Sequence, residues 1–198
     1  MRRRGLAGAA AVALLSTVLL AGCSTTGADE PTRGADQQGY VGSGGALTRV
    51  DPDRRTPAPT LTGPQLGKDG ATVSTADYAG KVLVLNVWGS WCGPCREEAT
   101  DLQAASEKTR ADAQFVGINT RDPAPAAPEA FVRVRGITYP SIFDPSGKTL
   151  LQLGGQVPPA AIPTTLVLDR QGRVAIRVLG TISEATLVDM VGEVAAGR

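Results

Sequence analysis

Two cysteines, Cys92 and Cys95, have the residue type and spacing best suited to chemistry in this chain. Such a pair could be a redox-active disulfide, half of a metal site or a purely structural crosslink. A structural zinc site needs four ligands, usually cysteine or histidine, and the chain has no histidine and only one further cysteine, the distant Cys23. A crosslink across two residues constrains the unfolded chain very little. The pattern therefore favours thiol–disulfide exchange, and it implies no metal and no organic cofactor.

The elements around the pair are predicted to place Cys92 at the start of a helix. Lys81–Val87 is a nearly continuous apolar run, which is typical of a strand buried on both faces. A helix is predicted from Pro94 to about Lys108, because proline suits the first helical turn. Free backbone N–H groups and the helix dipole stabilise a thiolate there and lower its pKa. We therefore predict that Cys92 is the nucleophile and that Cys95 resolves the mixed disulfide.

The rest of the domain reads as alternating strands and helices. A turn at Asp69-Gly70 has short strands on either side, and a hairpin turn lies at 170–172. Ser183 is predicted to cap the last helix. Strands are predicted at 114–119, 141–144, 163–169 and 173–179, and helices at 128–135 and 184–196. A strand–helix–strand unit favours a parallel pair, so we predict an α/β fold.

The start of the chain has the features of an export signal. Arg2 to Arg4 precede an apolar run from Leu6 to Leu20, which is shorter than the roughly 20 residues that span a membrane comfortably. Leu20-Ala21-Gly22-Cys23 then resembles the lipobox of bacterial lipoproteins, in which the signal is cleaved before a lipidated cysteine. We expect a signal peptide at 1–22 and a lipid anchor on Cys23 at the outer face of the cytoplasmic membrane. An uncleaved anchor helix is the alternative.

Composition separates a tether from a folded domain and excludes some classes of function. Residues 23–57 are rich in Gly, Asp, Thr and Pro and are predicted to be a flexible tether, whereas 58–198 are predicted to fold. Loss of the signal would leave 17 of the 20 basic residues against 19 acidic ones, which argues against nucleic-acid binding. The missing histidine excludes Ser-His-Asp and Cys-His catalysis.

Two motifs resemble the thioredoxin superfamily, specifically its extracytoplasmic TlpA/ResA-like branch. They are Gly80 to Glu98, which contains Trp91-Cys92-Gly93-Pro94-Cys95, and Ile162 to Asp169. The resemblance covers about residues 58 to 198. It implies a thioredoxin fold, with a central mixed β-sheet flanked by helices, an N-terminal strand extension and a helical insertion near 121–140. It also implies a redox disulfide between Cys92 and Cys95.

The resemblance further implies roles for residues outside the cysteine pair. Pro163 matches the cis-proline that faces the redox cysteines, and Ile162 would present its backbone to an extended substrate peptide. Asn86 stands where cytoplasmic thioredoxins carry a buried aspartate, and Glu98 matches the glutamate that serves proton transfer in the ResA-like branch. An exposed surface charge is the alternative for Glu98. Trp91 is predicted to line the substrate-binding rim, with ordinary packing as its alternative.

The leading functional hypothesis is a protein-disulfide reductase outside the membrane. In the branch that the chain resembles, the usual client is apocytochrome c, whose haem-attachment cysteines must be reduced during cytochrome c maturation. A membrane thiol-transfer protein would supply electrons, the clients would be exported disulfide-bearing proteins, and we expect a monomer. A disulfide oxidase or isomerase for exported proteins is the second hypothesis. A lipoprotein binding module with an inert cysteine pair is the third.

Overall fold

A computed structural model describes residues 46–198 of the chain. The expected signal peptide at 1–22, Cys23 and the first part of the expected tether lie outside the described residues. No helix within 46–198 is long and apolar enough to cross a membrane. The described strands are β1 Ala46–Arg49, β2 Thr62–Pro64, β3 Thr72–Ser74, β4 Val82–Trp88, β5 Ala113–Thr120, β6 Ser141–Asp144, β7 Thr164–Leu168 and β8 Val174–Leu179. The described α-helices are α1 Gly93–Lys108, α2 Ala126–Arg135, α3 Lys148–Gln152 and α4 Glu184–Ala195, and 3₁₀ turns lie at Thr75–Tyr78 and Gly154–Gln156.

Six of the strands form one mixed sheet in the order β1-β8-β7-β4-β5-β6. β4 lies in its interior, parallel to β5 and antiparallel to β7, and β6 continues the parallel part beside β5. β2 and β3 form a separate antiparallel hairpin, which meets β6 through a bridge between Gln65 and Ile142. The predicted parallel strand–helix–strand unit and the predicted hairpin of β7 and β8 are therefore both present.

Alternating residues of β4 supply two cores on opposite faces of the sheet. Val82 and Val84 pack with α1 and α4, whose core residues include Leu102 and Leu187. Leu83, Leu85 and Val87 pack on the other face with α3 and the hairpin of β2 and β3. All seven residues of β4 are buried, as the apolar run predicted. The strand that leads into the redox pair is thus held by packing on both sides.

The described fold begins before residue 58, where the folded domain was predicted to start, because 46–49 already form a strand of the sheet. β1 pairs antiparallel with β8 from Ala46 to Arg49. Arg55 is buried, and its Nη1 lies 3.4 Å from Asp169 Oδ2 while its Nε donates to the Val50 carbonyl oxygen at 3.1 Å. Burial alone would raise the pKa of the Asp169 carboxyl, but hydrogen bonds from Arg173 and from the Gln171 backbone hold that pKa below its usual value. Tertiary contacts therefore order a stretch whose composition predicts a tether.

Replacing Arg55 with alanine is expected to destabilise the domain by about 2–4 kcal/mol, because it removes one partner from a buried ion pair and frees the Val50 carbonyl. The measurement is the free energy of unfolding in urea. Arg49→Ala is the matched control, since its ion pair with Glu193 is largely exposed and should contribute less than about 1 kcal/mol. Equal losses in the two variants would contradict a structural role for the buried pair.

Candidate active site

The redox pair lies where β4 ends and α1 begins. Cys92 is the N-cap of α1, and its sulfur accepts a hydrogen bond from the Cys95 backbone N–H at 3.2 Å. Cys92 and Cys95 form a disulfide with their Cα atoms 5.3 Å apart, so the predicted pairing is present. Pro94 lies in the first helical turn, where its missing N–H leaves no helical hydrogen bond unmade. The arrangement places the Cys92 sulfur at the end of the helix that stabilises an anion.

The loop before β7 faces the Cys92 sulfur. The Ile162–Pro163 peptide bond is cis, as the resemblance implied. The Ile162 carbonyl oxygen lies 3.8 Å from Cys92 Sγ, and Ile162 itself is half-buried beside Trp88 and the two cysteines. A backbone edge and the reactive sulfur therefore meet at one place, where an extended chain could pair with the edge.

The two tryptophans near the pair have different surroundings. Trp91 is 47% exposed, and its Nε1 donates to the Thr120 carbonyl oxygen at 3.3 Å. Trp88 is buried, and its ring centroid lies 5.1 Å from that of Phe131 on α2. Trp91 is thus exposed next to the cysteine pair, whereas Trp88 is a packing residue.

Glu98 is buried at 2% exposure, so the surface-charge alternative is wrong. Its Oε1 accepts a hydrogen bond from Asn86 Nδ2 at 3.0 Å, and its Oε2 accepts one from the Ile182 backbone N–H at 3.2 Å. Burial raises the pKa of the Glu98 carboxyl to about 7, although both hydrogen bonds oppose the rise. A carboxyl that titrates near neutrality therefore lies one helical turn from Cys95.

Sequence reasoning missed a second buried carboxylate beside the pair. Asp122 is 2% exposed and accepts hydrogen bonds from Ser90, which lies two residues before Cys92. The signal in the sequence was the polar pair Asn119 and Asp122 at the end of a predicted strand. Polar residues gather at the carboxyl ends of parallel strands when those ends form a site.

Comparisons with known proteins agree with this geometry. The pattern of the Redoxin family matches residues 54–191. The chain is 28% identical over 167 residues to the thiol:disulfide interchange protein HelX of Rhodobacter capsulatus, with 80% of this chain and 90% of HelX covered. It is 25% identical over 131 residues to the thiol-disulfide oxidoreductase ResA of Bacillus subtilis, with 66% and 70% covered. Among solved structures, a secreted thiol-disulfide isomerase from Corynebacterium glutamicum superposes with a TM-score of 0.73 at 36% identity, covering 76% of this chain and 92% of the isomerase.

Proposed function

Since the chain belongs to the Redoxin family, and is a thiol–disulfide oxidoreductase of the HelX and ResA type with an α/β thioredoxin-like fold, we propose that it reduces disulfides in exported proteins. The hypothesis of an inert cysteine pair is not retained for a member of this enzyme class. The reductase hypothesis specifies the direction in which electrons flow, from Cys92 and Cys95 to a client.

Buried Glu98 is the observation that carries the exchange chemistry of the proposal, and the similarity to HelX and ResA supports its direction. In the first step the Cys92 thiolate attacks one sulfur of the client disulfide, which forms a mixed disulfide and releases a client thiolate. Cys95 must then lose its proton before it attacks Cys92 Sγ and releases the second client thiolate. A Glu98 carboxyl with a pKa of about 7 can accept that proton near neutral pH. Two electrons pass to the client, and the protein is left with the Cys92–Cys95 disulfide.

The client segment is proposed to bind along the cis-proline loop. The Ile162 carbonyl oxygen, 3.8 Å from Cys92 Sγ, would accept a backbone hydrogen bond from an extended peptide. Pro163 follows this edge directly, and the exposed indole of Trp91, adjacent to Cys92 in the chain, would offer the peptide an apolar surface. Backbone pairing depends little on the side chains of the client. This site therefore suits different clients, provided that each has a disulfide and an unfolded segment.

The proposed place of action is the outer face of the cytoplasmic membrane. The arginines at 2–4, the apolar run that follows and the lipobox-like sequence ending in Cys23 support export and a lipid anchor. A membrane thiol-transfer protein would return the oxidised enzyme to the dithiol form, and we propose a monomer. Apocytochrome c, with its two haem-attachment cysteines, is the proposed client.

The redox equilibrium with glutathione tests the direction of electron flow. We expect the Cys92–Cys95 disulfide to persist in glutathione buffers that reduce strongly oxidising pairs, as a reductase requires. The reduced full chain should also transfer its electrons to an oxidised peptide carrying the two haem-attachment cysteines of a cytochrome c. A strongly oxidising equilibrium, together with no reduction of that peptide, would rule out the reductase.

An oxidase or isomerase remains the second candidate, because the solved C. glutamicum structure at 36% identity is a thiol-disulfide isomerase. Such an enzyme would donate its disulfide to reduced chains, or would rearrange wrong pairings. Incubation of the oxidised chain with a reduced, unfolded disulfide protein separates the candidates. Rapid formation of native disulfides in that substrate favours the oxidase or isomerase, whereas an unreacted substrate favours the reductase.

A further inference from the structure

Asp122 binds the loop that carries Cys92. The residue follows β5 and is buried at 2% exposure. Its Oδ2 accepts hydrogen bonds from the Ser90 backbone N–H at 2.8 Å and from Asn119 Nδ2 at 2.7 Å, and its Oδ1 accepts one from Ser90 Oγ at 2.5 Å. Burying a carboxylate is costly unless hydrogen bonds compensate, and the three donors described here are all uncharged. Two of the three come from a single residue of the redox loop.

The redox loop is attached to the same segment at a second point. Trp91 Nε1 donates to the Thr120 carbonyl oxygen at 3.3 Å, and the Cys92 backbone N–H donates to the Gly89 carbonyl oxygen at 3.1 Å. Gly89 through Cys92 therefore form a turn whose two central residues bond to Thr120, the last residue of β5, and to Asp122, two residues after it. Because Cys92 closes this turn, the position of its sulfur depends on where the turn is held.

The segment also contacts the other side of the active site. Arg121 adopts a left-handed backbone conformation with φ 61°, which is uncommon outside glycine. Its side chain donates a hydrogen bond to the Pro159 carbonyl oxygen, in the loop that leads to the cis peptide at Ile162. Residues 120–122 thus bond to both loops that flank the Cys92 sulfur.

We propose that Asp122 is a positioning residue for the reaction, because its carboxylate holds Ser90 so that Cys92 caps α1 with its sulfur facing Ile162. The negative charge of the carboxylate acts in the opposite sense, since an anion near Cys92 disfavours the thiolate. Geometry and charge therefore have effects of opposite sign on Cys92 reactivity. This proposal rests on thiol–disulfide chemistry alone and is independent of the direction of electron flow.

Two substitutions at Asp122 separate the effects. Asp122→Ala removes all three hydrogen bonds, and it is expected to slow alkylation of Cys92 by iodoacetamide about tenfold at a pH below the midpoint of the rate profile. Asp122→Asn can keep the geometry, because its amide oxygen accepts from Ser90 N–H and Asn119 while its amide group donates to Ser90 Oγ. Asp122→Asn should therefore react at least as fast as the unmodified chain. The reduced full chain is used, and mass spectrometry identifies the Cys92 adduct between pH 5 and 9.

Ser90→Ala gives an independent test if Asp122→Ala does not fold. It removes the hydroxyl bond but leaves the backbone bond, so we expect a rate about threefold lower. Asp144→Ala is the control, since Asp144 is also buried and accepts a hydrogen bond from the Leu150 N–H, at the start of α3. Its rate should not change. Faster reaction of both Asp122 variants would assign the effect to charge, and an unchanged rate in Asp122→Ala or an equal loss in Asp144→Ala would also overturn the proposal.

Discussion

Cys95→Ser is expected to accumulate mixed disulfides with clients, whereas Cys92→Ser should lose disulfide exchange by about a thousandfold or more. The two cysteines are nearly equally buried, so exposure does not distinguish them. Their surroundings do: Cys92 Sγ is at the N-cap of α1 and 3.8 Å from the Ile162 carbonyl, while Cys95 lies inside the first helical turn. Without Cys95 the intermediate on Cys92 has no resolving thiol in the domain.

The measurement is non-reducing electrophoresis of cell extracts, followed by identification of the captured proteins. The matched control is the double variant Cys92→Ser with Cys95→Ser, which has no redox thiol and should capture nothing, although it keeps Cys23. Adducts that persist in the double variant would have formed on Cys23. A Cys95→Ser variant without adducts, or a Cys92→Ser variant that still exchanges disulfides, would contradict the assigned roles.

Glu98→Gln is expected to slow the resolving step about a hundredfold near pH 7 and to remove one limb of its pH dependence. In the unmodified chain the pKa of the Glu98 carboxyl is about 7, so the proton-accepting carboxylate becomes more abundant as the pH rises through neutrality. Glutamine cannot accept the Cys95 proton at any pH. Single-turnover kinetics between pH 5 and 9 measure the step, and Glu97→Gln is the control because Glu97 is exposed on the same helix.

Although Glu98→Gln slows the resolving step, it should increase the stability of the fold relative to the unmodified chain as the pH rises. Burial raises the pKa of Glu98 above its unfolded value of 4.5, so its contribution to stability is largest below about pH 4.5 and is lost as the pH rises through about 7. Glutamine has no such loss. Between pH 5 and pH 8 the Glu98→Gln variant should therefore gain on the order of 2 kcal/mol in unfolding free energy relative to the unmodified chain. Parallel stability curves would show that the carboxyl does not titrate near neutrality.

Much of the sheet could be predicted because its strands are apolar runs bounded by turns. Val82–Trp88 and Ser141–Asp144 lie close to or at their predicted limits, and Ser183 caps α4 as expected. The resemblance implied an N-terminal strand extension, but the position of β1 could not be predicted because its four residues lie among glycine and polar residues, and its order depends on pairing with β8. α3 was missed because it has only five residues. Short elements of this kind carry too little local signal and are stabilised by packing.

In the active site, too, the features that depend on neighbouring residues could be predicted, whereas those that depend on residues distant in sequence could not. The CxxC spacing and the helix start are adjacent in sequence, so the chemistry of Cys92 and Cys95 could be predicted. The burial of Glu98 depends on Asn86 and on Ile182, which are distant in sequence, and only the resemblance pointed to it. Asp122 escaped prediction because the loop that it holds is 32 residues earlier in the chain. Periodicity cannot show which polar residue at a strand end meets which loop.

The burial of Cys92 limits which disulfides can react, and it also limits the time at which they can react. With Cys92 4% exposed and its sulfur beside the Ile162 backbone, a partner must bring its own sulfur in on a segment that can lie flat along that edge. A disulfide inside a rigid folded body cannot do so, whereas one in a newly exported chain can. If the clients are the exported proteins proposed above, selection is by timing: they can react in the interval between export and folding, and fast-folding clients leave that interval early.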